Sequence, residues 1–296
     1  MWTRRGALVG GLALAGCKVG VELPPPTPVP LRDDPRFAAI EARTGGRVGA
    51  FALNTTDGAI LAHRAGERFA MCSTFKWLLA AQMLHLEQQS PGFLAQQISF
   101  TESDLLEYAP VAREHVARGS MSVEDLCAGA VVMSDNTCAN LLLAHASGPE
   151  GLTAFLRESG DAATRLDRIE PEMNVVPPGD ERDTTTPEAM ARTMRRLLLT
   201  DEVLNAASRE TLTGWMIESP TGRARLRAGL PADWRAGDKT GTWNGDHNAA
   251  NDVAIAWPPG RAPIIIACYL AGSTAPPAER NSAHAEIARI IAEAWS

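Results

Sequence analysis

The sequence predicts an α+β fold in which one sheet is built from both ends of the chain and a helical region is inserted between them. Strand-like apolar segments occur only early and late in the 296 residues, and the stretch between them reads as helices joined by loops rich in glycine and proline. Three short motifs are divided between the helical stretch and a late strand, which puts the candidate site at the junction, where ligand sites often lie.

The early strands are Arg47 to Leu53 and Ala59 to Arg64. Between them, Asn54-Thr55-Thr56-Asp57-Gly58 holds an Asp-Gly pair, a strong hairpin signal because both residues tolerate the backbone of a tight turn. From about Ser73 to Ile217 the pattern is helical, most clearly over Ser73–Gln89 and Ser122–Ala146. Three strands follow, Trp234 to Thr242, Asp252 to Trp257 and Pro263 to Ala271, and a helix over Arg280 to Trp295 ends the chain. Residues 36–72 and 218–296 form the sheet-bearing part and 73–217 the helical part, together one domain over 36–296.

The first 35 residues stand outside that domain. Arg4-Arg5 precedes a ten-residue apolar run, Ala7 to Gly16, too short to span a bilayer and suited to an export signal. The run closes on Leu14-Ala15-Gly16-Cys17, which resembles a lipoprotein signal box; cleavage before Cys17 and acylation of its thiol are expected. Thr3-Arg4-Arg5 hints at twin-arginine export, although Gly6-Ala7 fits that pattern poorly. Residues 17–35 read as a lipid-anchored linker, with Leu23-Pro24-Pro25-Pro26-Thr27-Pro28-Val29-Pro30 favouring an extended, semi-rigid spacer. An exported protein is expected, held at the periplasmic face of a membrane or free in the periplasm or medium.

Net charge is −7, and loss of residues 1–16, with two arginines and no acid, leaves −9. Nothing resembles the basic footprint of a nucleic-acid binder. Cys72, Cys127, Cys138 and Cys268 are scattered, and the six histidines show no metal spacing, so no metal or cofactor is expected. Cys127 and Cys138 fall eleven residues apart in one helical region, roughly 16 Å at helical rise, and cannot pair if that helix is continuous. Buried free thiols are expected.

Ser73-Thr74-Phe75-Lys76 sets a hydroxyl and an amine at i and i+3, one face of a helix, with Cβ atoms roughly 5–6 Å apart. A serine is a poor nucleophile until a neighbouring base takes its proton, and a helix start lends positive potential to developing negative charge. Ser134-Asp135-Asn136 adds a second hydroxyl and an amide, and Lys239-Thr240-Gly241 places a cation on a strand beside a glycine that lets the backbone approach a ligand. Each alone has an ordinary explanation: a capping serine, a turn, a strand end with an exposed lysine.

In this order and spacing the three form the S-x-x-K, S-D-N and K-T-G set of class A β-lactamases and penicillin-binding proteins. Arg168-Ile169-Glu170-Pro171-Glu172-Met173-Asn174 resembles the class A omega loop, so from about Ala38 onward the chain resembles a class A serine β-lactamase. The resemblance implies an antiparallel five-stranded sheet flanked by helices, of α/β sandwich type, with an inserted all-helical domain. It implies hydrolysis of the β-lactam amide of penicillin- or cephalosporin-type antibiotics through an acyl-enzyme, hence antibiotic resistance, in a monomer.

It also implies roles. Ser73 is the nucleophile, and either Lys76 or Glu170 is the base that takes its proton in acylation. Ser134 passes a proton to the lactam nitrogen. Glu170 activates the deacylating water, which Asn174 helps hold. The backbone N–H groups of Ser73 and Thr242 form the oxyanion hole. Asn136, Lys239, Thr240, Gly241, Thr242, Arg225 and the aromatic Tyr108 bind substrate, and Arg168 with Asp183 closes the loop's neck. A cis Glu170–Pro171 bond is common in the family, and X–Pro bonds alone adopt cis at low cost, about 0.5–1 kcal/mol.

Met173 stands where the family commonly has leucine, and the turn from Trp243 to Asn251 is about two residues longer than usual. Trp243 also replaces the cysteine that pairs with the one before the nucleophile in some carbapenem-hydrolysing members, so no such disulfide is expected at Cys72. A D-alanyl-D-alanine carboxypeptidase or transpeptidase shares the first three motifs but lacks the loop glutamate. A sensor that stays acylated needs a membrane-spanning signalling segment, and none is visible in the sequence.

Overall fold

The computed structural model describes residue 1 and residues 31–295. The expected signal peptide, Cys17 and most of the proline-rich linker lie outside the described residues.

Five long strands form an antiparallel sheet: β1 (Arg47–Asn54), β2 (Ile60–His63), β3 (Arg235–Trp243), β4 (Ala249–Trp257) and β5 (Ile264–Ala271). Their spatial order is β2-β1-β5-β4-β3, so strands from the two ends of the chain meet where β1 pairs with β5. A two-residue strand, Leu31–Arg32, adds in parallel beside β2. This sixth strand, unlike the other five, was not foreseen.

Both faces of the sheet are covered, which is why its central strands read as unbroken apolar runs rather than alternating ones. In β5, Ile264, Ile266, Cys268 and Leu270 face one core with Phe37 and Ile40 of α1 (Pro35–Thr44). Ile265, Ala267 and Tyr269 face the other core, which contains Trp77 and Leu78. That second core is organised around α2 (Phe75–Gln89), buried from Phe75 to Leu84. Helix α1 was missed within the sequence; its signal is Asp34, whose carboxylate accepts from Arg36 N, followed by Pro35 in the first turn.

The expected single helix over Ser122–Ala146 is two helices, α3 (Val123–Val132) and α4 (Asn136–His145). Ser134 at φ 60° breaks them, and Asp135 caps α4 by accepting from Cys138 N at 2.9 Å. Cys127 and Cys138 therefore sit on different helices; both are buried and unpaired, as are Cys72 and Cys268. Helices α5 (Gly148–Glu158), α6 (Pro187–Leu199) and α7 (Ala206–Glu218) complete the middle region. That region is not purely helical: Thr184–Thr185 pairs with Phe69–Ala70, and Gln97–Ser99 with Ser120–Ser122. The chain closes with α8 (Pro277–Trp295), which packs Ile287 and Ile291 into the first core. Among the described residues no helix is long and apolar enough to cross a membrane, and no cluster could hold a metal ion.

Candidate active site

A cleft of about 800 Å³ lies between the helical region and the free edge of β3. Ser73, Tyr108, Ser134, Asn136, Glu170 and Asn174 line it from one side, and Arg225, Thr240, Gly241, Thr242 and Trp243 from the other.

Ser73 sits in a single 3-10 turn, Cys72–Thr74, that leads directly into α2. Cys72 before it has φ 45°, a left-handed conformation that costs a non-glycine residue of order 1–3 kcal/mol and persists only where surroundings enforce it. Ser134 at φ 60° and Asp183 at φ 59° share that conformation. Three of these rare residues thus occupy the cleft or its support.

Lys76 is fully buried, yet all three ammonium N–H groups have acceptors. They point to Ser134 O at 2.8 Å, Asn136 Oδ1 at 2.5 Å and Glu170 Oε1 at 3.1 Å. The left-handed turn at Ser134 aims that carbonyl at the amine. The Ser73 hydroxyl donates not to Lys76 but to Glu170 Oε1, at 3.3 Å. The carboxylate therefore touches both the hydroxyl and the cation, an arrangement able to accept the serine proton.

Glu170 is itself tightly placed. Asn174 Nδ2 donates to its Oε2 at 2.6 Å and to Pro171 O at 2.9 Å. The Glu170–Pro171 bond is cis, as the sequence predicts. At the neck, Asp183 accepts from Asp167 N, Arg168 N and Arg168 Nε, the last at 2.6 Å, so the expected Arg168–Asp183 pair is present.

On the strand side Lys239 is buried rather than exposed, and its ammonium donates to Ser134 Oγ and Thr240 O, both at 2.9 Å. Burial, followed by the nearby charge of Lys76, pushes the Lys239 pKa well below the ordinary lysine value. Arg225 uses four of its five N–H groups on the protein. These reach Gly241 O, Asn251 O, Thr242 Oγ1 and Asn281 Oδ1. One N–H remains, and Thr242, accepting from Arg225, keeps its own hydroxyl hydrogen free. Arg227 instead pairs with Asp238 behind the strand, which separates the two arginines that sequence alone left ambiguous.

The long turn after β3 is held by its own contacts. Trp243 Nε1 donates to Asp246 O at 3.2 Å, Gly245 packs against the indole, and Arg280 reaches Asn244 Oδ1 at 3.0 Å. Tyr108, half exposed, stands at the mouth of the same cleft.

The profile described as the β-lactamase enzyme family matches residues 34–295. The chain belongs to that family. It is 48% identical to β-lactamase AST-1 of Nocardia asteroides, over 88% of this chain and 83% of that protein. It is 46% identical to β-lactamase L2 of Stenotrophomonas maltophilia, over 90% of this chain and 86% of that protein. An ancestral class A β-lactamase superposes with a TM-score of 0.85 at 51% identity, covering 88% of this chain and 99% of that one. As a member of this family the protein is a serine β-lactamase, a hydrolase that works through a serine acyl-enzyme.

Several residues around this β-lactamase site were not singled out by sequence. Asn140, one turn beyond Asn136 on α4, binds both backbone groups of Glu170; its signal was asparagine at i and i+4. Thr221 accepts from Thr240 Oγ1 at 2.8 Å, and Asn281 holds Arg225 from α8. These partners are distant in sequence and carried no local signal.

Proposed function

We propose that the protein opens the β-lactam amide with Ser73 as nucleophile and Glu170 as the base for both half-reactions. The observation that carries this is the shared contact at Glu170 Oε1, with Ser73 Oγ at 3.3 Å and Lys76 Nζ at 3.1 Å. Ser73 Oγ attacks the lactam carbonyl as its proton passes to Glu170. The oxyanion is taken by the N–H groups of Ser73 and Thr242; losing one such donor costs about 2.7–4 kcal/mol in related chemistry. Ser134 gives its hydroxyl proton to the lactam nitrogen as the C–N bond breaks, and the Lys239 ammonium offsets the charge left on its oxygen. Lys76, between Glu170 and Ser134, carries the first proton across to restore the hydroxyl, so the net transfer is from Ser73 to nitrogen. Glu170 then takes a proton from a water beside Asn174, the hydroxide adds to the ester carbonyl, and Glu170 returns that proton to Ser73 Oγ as the acyl–oxygen bond breaks.

Substrate is held by the groups with hydrogen-bonding capacity left over: the third N–H of Lys239, the remaining N–H of Arg225 and the hydroxyl of Thr242 meet its carboxylate, and Thr240, whose hydrogen goes to Thr221, lines the cleft beside them. Asn136 and the Gly241 strand edge hold its acylamino group, and Tyr108 bounds the mouth. Every one of these groups comes from one chain, so the site needs no residue from a second copy. Ser73→Ala should abolish turnover. In Glu170→Gln the Lys76 amine, one helical turn from Ser73, is left as the second base, so acylation with good penicillins should slow but proceed and deacylation should stop, leaving an adduct on Ser73 by mass spectrometry; parent turnover in that variant would overturn the assignment.

On the same reading residues 1–16 are a signal peptide, Cys17 is the acylated anchor, residues 17–35 are the spacer and 36–296 the catalytic domain. The support is the run from Arg4 to Cys17 and the prolines after it. Cys17→Ser should release the enzyme to a soluble fraction with kcat intact. A wild type already soluble and unacylated would refute anchoring.

A further inference from the structure

The oxyanion site is made of two backbone N–H groups on separate elements, one on the turn before α2 and one on β3. Something must fix the turn against the strand. Asn251 lies near the start of β4, opposite Gly241 on β3 and Tyr269 on β5, and is 1% exposed. Among the described residues its side chain forms no hydrogen bond to β3 or β5. Instead Nδ2 reaches up to Ala70 O at 2.8 Å and Met71 O at 3.0 Å, the two carbonyls just before the left-handed Cys72 and Ser73. Its backbone oxygen accepts Arg225 Nη1 at 2.7 Å, and the same guanidine nitrogen donates to Gly241 O. Gly241 touches the other side of this junction: a Cβ there would sit 2.6 Å from Met71 O and 3.1 Å from Ser73 N.

We propose that Asn251 is a positioning residue for the oxyanion hole, its carboxamide setting where the Ser73 N–H stands relative to the Thr242 N–H. The inference rests on the assignment of Ser73 as nucleophile. The residue type fits the task. An NH2 group has two hydrogens for two carbonyls, and an isosteric leucine would take the side-chain donor from Ala70 O and leave Met71 O to Thr74 alone. Aspartate would set a carboxylate against two carbonyl oxygens. The Asn251 oxygen has no partner among the described residues, so it is the donor half of the amide that the fold uses. With Gly241 limiting how closely the turn approaches the sheet and Asn251 drawing the turn down onto it, the junction has one height. Without that pull, the strained backbone at Cys72 is free to relax and to rotate the Ser73 N–H away.

The test uses Asn251→Leu and Asn251→Ser in the full enzyme, each also in a Glu170→Gln background that accumulates acyl-enzyme. The acylation rate should fall about 10- to 100-fold with KM little changed, less than the 10²–10³ expected for complete loss of a donor. A boronic acid that adds to the serine should weaken by a similar factor. The infrared stretch of the acyl carbonyl should move to higher frequency as its hydrogen bonds lengthen, with the serine variant between parent and leucine. A melting temperature that falls while the carbonyl band and boronate affinity stay put makes Asn251 merely structural and overturns the inference. No acyl band in Glu170→Gln itself would instead overturn the Ser73 and Glu170 assignment. If the leucine variant fails to fold, the serine variant reads both quantities alone.

Discussion

Asn140 and Glu170 bind each other reciprocally: the Asn140 amide donates to Glu170 O at 2.8 Å and accepts from Glu170 N at 3.0 Å. A side chain on α4 thereby replaces the backbone partners that an irregular loop cannot supply, and both peptide groups flanking the carboxylate are fixed. Asn140→Leu leaves both unpaired, at about 1–3 kcal/mol per buried group. The variant should lose about 2–6 kcal/mol of stability by denaturant titration, and burst kinetics should show deacylation slowed more than acylation. Equal slowing of both steps would argue against Asn140 acting through Glu170.

The loop's neck should respond differently on its two sides. Asp183 is fully buried and accepts from two backbone N–H groups as well as from Arg168, whose side chain is partly exposed. Arg168→Ser therefore leaves a carboxylate that still has two donors, at about 1–2 kcal/mol. The fold should survive, deacylation should slow, and bulkier cephalosporins should be accepted better. Asp183→Ala strands all three donors and should cost more, about 3–5 kcal/mol. Unaltered rates and substrate profile in Arg168→Ser would defeat this account.

Lys239 gives a pH signature. Burial and Lys76 depress its pKa, so on raising the pH its charge is lost below the ordinary lysine value rather than at it. KM for carboxylate-bearing substrates should rise on that alkaline limb while acyl-enzyme hydrolysis holds, because Lys239 meets the substrate and not the deacylating water. Lys239→Arg, whose guanidinium does not titrate in this range, should remove the limb while raising KM throughout. A limb unchanged in that variant would assign it to another group.

The turn after β3 makes a prediction about selectivity. A Cβ on Gly245 would lie 2.6 Å from the Trp243 ring, so Gly245→Ala must displace the indole. Trp243 is partly exposed at the end of its strand, the movement is cheap, and stability should change by under about 1 kcal/mol. Tryptophan fluorescence should shift, and the relative kcat/KM of large and small acylamino substrates should change with it. An altered emission with unaltered substrate ranking would show that Trp243 does not bound the substrate.

Much of this site was legible because its chemistry lives in contiguous motifs. Ser73 to Lys76 are one helical turn, Ser134 to Asn136 one helix cap, and Lys239 to Thr242 one strand end, so local pattern located them. The omega loop was legible through Glu170-Pro171 and the Arg168–Asp183 spacing. Asn251, Asn281 and Thr221 were not, because what matters about them is a contact across the sheet or from α8, and sequence spacing carries no record of such contacts. Strand ends were misplaced by a few residues where neighbouring strands extend a ladder into a turn, as β4 does by starting at Ala249 rather than Asp252. The break between α3 and α4 escaped notice because Ser134 and Asp135 sit in a window otherwise rich in helix formers.

The parallel Leu31–Arg32 strand has a mechanical consequence. It lies at the margin of the sheet opposite β3, with β2, β1, β5 and β4 between, about 24 Å away at roughly 4.8 Å per strand. A pull on the amino terminus loads that margin first, peeling two residues from Ile60 and Leu61 and then the Asp33–His63 contact. Next in line is the Arg36–Glu293 pair that ties α1 to α8. None of these touches the cleft, so load applied at the amino terminus is spent on the near margin while the far edge, with Lys239 and Thr242, stays in register.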